Sequence, residues 1–344
     1  MMFEKETPAS VAVQRILRLG TGFWGSKALM SAVELGVFTE LAQSGPLDLI
    51  ELSVRLGLHP RGARDFLDAL VALKLLARGI GGYCNTPEAE QFLDRRKREY
   101  LGNLLLMASE RLYPSWGSLT QALQTGLPQS EANGGGDYFN RLYSDPERLR
   151  LFLQAMTAMS LRAGSALATK FRWNRCRQVV DLGTAQGAVP VELALAHPHL
   201  TCYGCDLPMV GPIFEEYVRS HGLEKRVCFL ARDFFSDPLP QGDVYILGHV
   251  LHDWDLAGKR ALLAKAYSAL PVGGALIVHD TLIDDERCEN ALALLMSVNM
   301  LLQTPGGFDY TARDCIGWLR EAGFCVTKVD RLAEADSMIV AIKE

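Results

Sequence analysis

The stretch GHVLHDWD, residues 248 to 255, places two histidines, two aspartates and a tryptophan directly after the apolar run VYIL. An imidazole at His252 can cap the next helix, pack under a loop, or move a proton. Asp253 and Asp255 are the better helix caps, and Trp254 is expected in the core. His252 therefore stands as the candidate general base. Its reference pKa of about 6.5, against about 10 for a phenol, leaves it largely neutral near pH 7 yet able to take a hydroxyl proton. His249 and His252 also form an HxxH pair, but zinc would need a third ligand and helical phasing, so no metal is expected.

A second group precedes it. In DLGTAQG (181 to 187), Gly183 and Gly187 permit a tight turn whose N–H groups open a helix. Asp206, in CDLP, lies 23 residues after Gly183 and 19 after Gly187, about the spacing of an acid that accepts ribose hydroxyls. Asp233, in ARDFF, can take an adenine amino proton while Phe234 covers the ring face. In that order the three describe an adenosine pocket.

The elements that position these residues alternate. From 176 onward, CRQVVDLG, LTCYGCDLP, RVCFLARDFF, GDVYILGHV and ALIVHDTLI read as strands separated by helices such as AVPVELALAHP and DLAGKRALLAKAYSALPVGG. This is α/β grammar: a doubly wound, mostly parallel sheet with its ligand beyond the C-terminal strand ends. FCVTKVDRL and SMIVAIKE add an antiparallel edge pair, for seven strands in all. Residues 10 to 110 read instead as helices followed by a glycine-rich hairpin, RGIGGYCNT, which is winged-helix grammar. The presumed recognition helix, PRGARDFLDALVALKLL, is rich in Leu and Ala and carries only two arginines, which favours packing or dimerisation over DNA binding. EANGGGDYFN (131 to 140) is expected to be a flexible loop. The domains are drawn at 1–105 and 106–344.

DLGTAQG, CDLP, RDFFSDPLPQGDVYILGHVLHDW, LPVGGALIVHDTLIDDE and LLQTPGGFDYT together resemble the successive motifs of class I S-adenosylmethionine-dependent O-methyltransferases, in particular the acetylserotonin O-methyltransferase-like enzymes and their plant caffeate-type and bacterial relatives. The likeness covers nearly the whole chain, since GFWGSKALMSAVELGVFTELA resembles that family's dimerisation domain. It implies S-adenosylmethionine as cofactor, a homodimer through the N-terminal domain, and a small hydroxylated, aromatic substrate. It further implies that Gly183 and Gly187 line the methionine part, that Asp206 binds ribose, and that Asp233 and Phe234 bind adenine. Tyr143, Met156 and Ser160 match positions that touch the cofactor, and His249 stands in for a basic residue that several relatives carry before LHDW. Asp280 and Asp309 are implied as the acids that orient His252, each an aspartate where relatives often have glutamate. Met296, Asn299 and Met300, at helical spacing, are either packing or the substrate wall. Thr184 and Ala185 replace glycines common in the loop. N- or C-methylation on the same scaffold, and a noncatalytic ligand-binding protein, are the alternatives.

Composition narrows the rest. The chain has 344 residues, 49% hydrophobic and 22% charged, with a net charge of −5, which suits a globular enzyme and argues against a nucleic-acid surface. DRRKREY (94 to 100) reads as a solvated face. No window has about 18 consecutive apolar residues and the start is polar, so no membrane span or signal peptide is expected and the location is taken as cytoplasmic. The eight cysteines are read as reduced and mostly buried; the CxxC of Cys202 and Cys205 lies along a strand rather than at a helix start.

Overall fold

Glycine sets the breaks in the N-terminal helices. The computed structural model describes residues 8–130, 138–333 and 335–344. The chain divides into two units, Met1–Ser109 and Glu110–Glu344; the boundary at 105 falls inside the helix Gly102–Met107. In the first unit the apolar run around Gly36 becomes two helices, Gly22–Glu34 and Val37–Ser44, because Gly36 takes a left-handed conformation (φ 75°). Asp48 caps the helix Leu49–Leu56 by accepting from Ile50 and Glu51 N–H. The helix Pro60–Ala72 then buries Ala63, Leu67 and Leu70, and strands β1 (Leu76–Gly79) and β2 (Gly82–Asn85) form the antiparallel wing. Its core gathers Val33, Phe38, Leu41, Leu52, Leu67 and Leu70.

The second unit is a seven-stranded sheet. Its strands are β3 (Gln178–Leu182), β4 (Thr201–Asp206), β5 (Val227–Ala231), β6 (Val244–Gly248), β7 (Ala275–Asp280), β8 (Cys325–Arg331) and β9 (Ser337–Ile342). They lie in the order β5-β4-β3-β6-β7-β9-β8. β3 to β7 are mutually parallel, while β9 runs antiparallel to both β7 and β8. Each central strand alternates between two cores: Val179, Cys202, Val244 and Ile277 enter one, Val180, Cys205, Tyr245 and Leu276 the other. Cys202 and Cys205 therefore point to opposite faces and cannot pair, and burial pushes both thiols up to about 12. The cysteines are less buried than expected: Cys176, Cys202, Cys205 and Cys315 are buried, but Cys288 and Cys325 are exposed.

The crossovers reverse direction between β3 and β6, so the crevice beyond those two strand ends is the switch point of the sheet. The long helix Pro146–Lys170 packs beside it on the helix Ala188–Ala196, close enough that a Cβ on Gly164 would lie 3.3 Å from Val189 Cα. Most of the loop at 131–140 lies outside the described residues. No described helix is long and apolar enough to cross a membrane.

Candidate active site

The C-terminal end of β6 delivers His252 through a sharp change of direction. His249 takes a left-handed conformation (φ 53°) while its N–H donates to His279 O at 3.0 Å, and a single 3-10 turn, Leu251–Asp253, follows. Asp255 caps the next helix, Leu256–Ala269, by accepting from Gly258 N–H at 2.7 Å. His252 is thus not the cap, and it is buried. The loop after the helix Ala291–Gln303 lies across it: a Cβ on Gly307 would sit 2.5 Å from His252 O and 2.8 Å from Asp253 O. Only a glycine lets that loop approach and bring Asp309 in.

Four segments converge on the imidazole. His252 Nδ1 is 3.1 Å from Asp309 Oδ1, a hydrogen bond, and 3.7 Å from Asp280 Oδ1; Nε2 is 3.8 Å from Asp253 Oδ1. Asp280 Oδ2 accepts from Tyr310 Oη–H. His249 Nδ1 lies 3.5 Å from Asp280 Oδ1, and its Nε2 is 2.9 Å from Asp336 Oδ2, whose other oxygen accepts from Thr281 Oγ1 at 2.8 Å. Burial opposes a charge on His252, but Asp280, then Asp253 and the hydrogen bond and charge of Asp309, outweigh it and push the imidazole up to about 10. The acids thus hold a proton on this ring more tightly than a free imidazole would. Burial likewise opposes a charge on His249, and its contacts with Asp336 and Asp280 raise it nonetheless. His279, beside them, is driven by burial and the His249 charge down to about 3, because Asp336 offsets only part of that cost.

The residues expected to hold adenosine stand at the neighbouring strand ends. Gly183 (φ 77°) and Gly187 (φ 90°) make the turn, and a Cβ on Gly183 would lie 2.6 Å from Val250 Cγ2 and 3.9 Å from Phe234 Cε1. Asp206 accepts from Ala185 N–H at 3.0 Å and from Leu207 N–H at 2.8 Å, and burial pushes it up to about 6. Asp233 caps its own turn, accepting from Phe235 N–H and Ser236 Oγ–H at 2.9 Å each. Each of these carboxylate oxygens keeps a second acceptor site. Met156 and Ser160 are half-buried one turn apart on the helix Pro146–Lys170. Between them Thr157 donates to Gln186 Oε1 at 2.9 Å, which joins that helix face to the glycine loop. Tyr143 is buried against Phe139 and Phe152.

Comparison with known proteins agrees along the whole chain. Residues 116–325 match the O-methyltransferase domain family and residues 17–95 the O-methyltransferase dimerisation domain. The chain is 46% identical to the tetracenomycin polyketide synthesis 8-O-methyl transferase TcmO of Streptomyces glaucescens, over 95% of its own length and 96% of that protein. It is 39% identical to the N,N-dimethyltransferase OxyT of Streptomyces rimosus, over 97% and 98%. Its fold matches human N-acetylserotonin methyltransferase in complex with S-adenosylmethionine with a TM-score of 0.90 at 30% identity, covering 99% of each chain. The chain belongs to the O-methyltransferase family. It is an S-adenosylmethionine-dependent enzyme.

In the methyltransferase, the residues at the strand ends suit this cofactor chemically: a left-handed glycine loop, a carboxylate with free acceptor sites and an aromatic ring. The glycine loop, Asp206 and Phe234 come from three different strand ends: Asp206 holds the loop through Ala185 N–H, and Phe234 lies beside Gly183. The Ala185 that replaces a loop glycine keeps the glycine-like conformation (φ 50°). On the helix Ala291–Gln303, Asn299 and Met300 are buried and Met296 half-buried; Asn299 Oδ1 accepts from Trp116 Nε1–H at 3.0 Å. Asp280 does come near the HxxH pair, with donor atoms within 4.8 Å of one another, but His252 Nδ1 and His249 Nε2 are engaged by Asp309 and Asp336. Sequence reasoning missed Asp336, His279, Tyr310 and Lys259. Tyr310 adjoins Asp309 and could have been found there; Asp336 and His279 carry no signal until β7 and β9 are paired.

Proposed function

We propose that the methyltransferase transfers a methyl group to a phenolic hydroxyl of a polycyclic, polyketide-derived aromatic, with His252 receiving the hydroxyl proton. The observation that carries this is the convergence of Asp309, Asp280 and Asp253 on a buried His252. Its likeness to TcmO supports the acceptor class.

When bound, the cofactor supplies the methyl group on a sulfonium. Gly183 and Gly187 lie along its methionine part, Asp206 accepts from the ribose, and Asp233 and Phe234 hold the adenine. Met156, Ser160 and Tyr143 close the pocket, and His249 stands beside it in the place of the basic residue that several relatives carry. Met296, Asn299 and Met300 form the acceptor wall. His252 Nδ1–H donates to Asp309, which fixes the tautomer and leaves Nε2 to face the acceptor. Asp280 stabilises the imidazolium that results. A ring held near the phenol range exchanges a proton with a phenol at little cost in either direction, so an imidazolium paired with the acceptor's phenolate is an equivalent starting state.

The enzyme works as a homodimer through its first unit. Val11, Val13, Ile16, Leu17 and Leu19 of the helix Pro8–Gly20, with Phe23 and Trp24 after it, are exposed; an apolar face of that extent calls for a partner, and the matched dimerisation family names one.

The test is incubation with S-adenosylmethionine and a panel of hydroxylated naphthacenes, with amine analogues beside them, read by mass spectrometry. A gain of one methyl on the phenols is expected. Methylation of the amines alone would replace the reading with N-methylation, the activity named for OxyT.

A further inference from the structure

Lys259 is fully buried in the first turn of the helix Leu256–Ala269, where a lysine is seldom found. Its Nζ donates to Trp254 O and sits 3.5 Å from the centroid of the Phe308 ring and 5.7 Å from that of Tyr310. Trp254 belongs to the segment that carries His252, and Phe308 and Tyr310 flank Asp309. An ammonium removed from water needs compensation beyond one hydrogen bond and a ring face. Asp280, Asp309, Asp253 and Asp255 supply it. Burial still wins, and lowers the ammonium to about 8.

The geometry points to Lys259 as a positioning residue for methyl transfer: its ammonium ties the His252 segment to the Asp309 segment and offsets the carboxylates that surround His252. This rests on His252 being the base. The groups facing His252 are Asp253 on its own turn, His249 from the end of β6, Asp280 from β7, and Asp309 with Tyr310 from the loop after the helix Ala291–Gln303. Lys259 acts through its charge on the same acids and on Cys315 of the helix Ala312–Glu321. Without the ammonium, those acids act on His252 unopposed and its proton is held more tightly.

The experiment is the pH dependence of kcat for the full-length enzyme and the variants Lys259→Met, Lys259→Gln and Lys259→Arg, with folding followed by circular dichroism and cofactor binding by titration with S-adenosylhomocysteine. Because the ammonium is itself lost above about 8, removing it acts below that pH: turnover of the Met and Gln variants at pH 7 is expected to fall about tenfold and to converge on the wild type toward pH 10, with KM and product affinity unchanged within about threefold. Arg should restore turnover at pH 7. Unchanged turnover at pH 7 in folded Met or Gln variants overturns the proposal, and so does a kcat that falls evenly at all pH values, because that is the signature of packing alone. Failure of Met and Gln to fold while Arg folds overturns it as well. His252→Asn, measured in parallel, separates the two levels: if it keeps the wild-type pH dependence, the base assignment itself is wrong.

Discussion

At the ends of β3 and β4 the protein presents backbone; at the ends of β6 and β7 it presents side chains. The first region works through loop conformation: left-handed turns at Gly183, Ala185 and Gly187, with Asp206 bound to the N–H groups of Ala185 and Leu207. The second works through charge. Asp253, Asp280, Asp309 and Asp336 surround His249, His252 and Lys259, and five stretches of chain from 249 to 336 contribute. Binding a cofactor common to many enzymes needs a shape that backbone can give. Taking a proton needs a local electrostatic balance, which only converging side chains supply.

The sharpest way to break the comparison is to remove one side chain from the second region. His252→Ala should cut turnover by about 10² or more while leaving S-adenosylhomocysteine affinity unchanged, because the glycine loop is untouched. If cofactor binding falls with turnover, the two regions are not separable. The pH profile follows from the same ring. A base must shed its proton before it can take another, so kcat/KM should rise as pH climbs from 7 toward about 10, and the rise should vanish in His252→Asn. A phenolic acceptor ionises in the same range, so the variant rather than the wild-type curve decides.

That difference also governs what was legible in the sequence. Glycine loop, ribose acid and strand grammar are local patterns, and the sheet with its switch point follows from them. Asp309 and Asp280 entered through resemblance, and Asp309 rather than Asp280 proves to be within hydrogen-bonding distance. The elevated proton affinity of His252 was not legible, because it is a sum over acids as much as 57 positions away. His279 was illegible for a related reason: on paper it is one more strand residue, and only its burial, which Asp336 does not outweigh, sets it apart.

A smaller effect tests the contrast within the second region. His279 is pushed down to about 3 by burial, so the unfolded chain takes up a proton near pH 6.5 that the folded chain refuses until about pH 3. Stability from this group is present above about 6.5 and is lost as pH falls, by about 2 kcal/mol at pH 5. His252 has the opposite sign: its contribution is full below about 6.5 and is lost as pH rises toward about 10. Denaturant melts at pH 5 and 6.5 should show the wild type losing that much more than His279→Gln. Parallel losses would mean that the ring accepts its proton in the fold.

The smallest effect falls in the first region, at the alanine that replaces a glycine. A left-handed alanine costs about 1 kcal/mol, and the N–H it turns toward Asp206 at 3.0 Å is what the loop gains. Ala185→Gly removes the strain, but it also loosens the unfolded chain by an amount of similar size. The two should nearly cancel: a shift in stability below about 0.5 kcal/mol and an S-adenosylhomocysteine affinity within about threefold of the wild type. A tenfold gain in affinity would show that Cβ, and not backbone alone, limits how closely the cofactor approaches, and the backbone character assigned to this half of the site would fail.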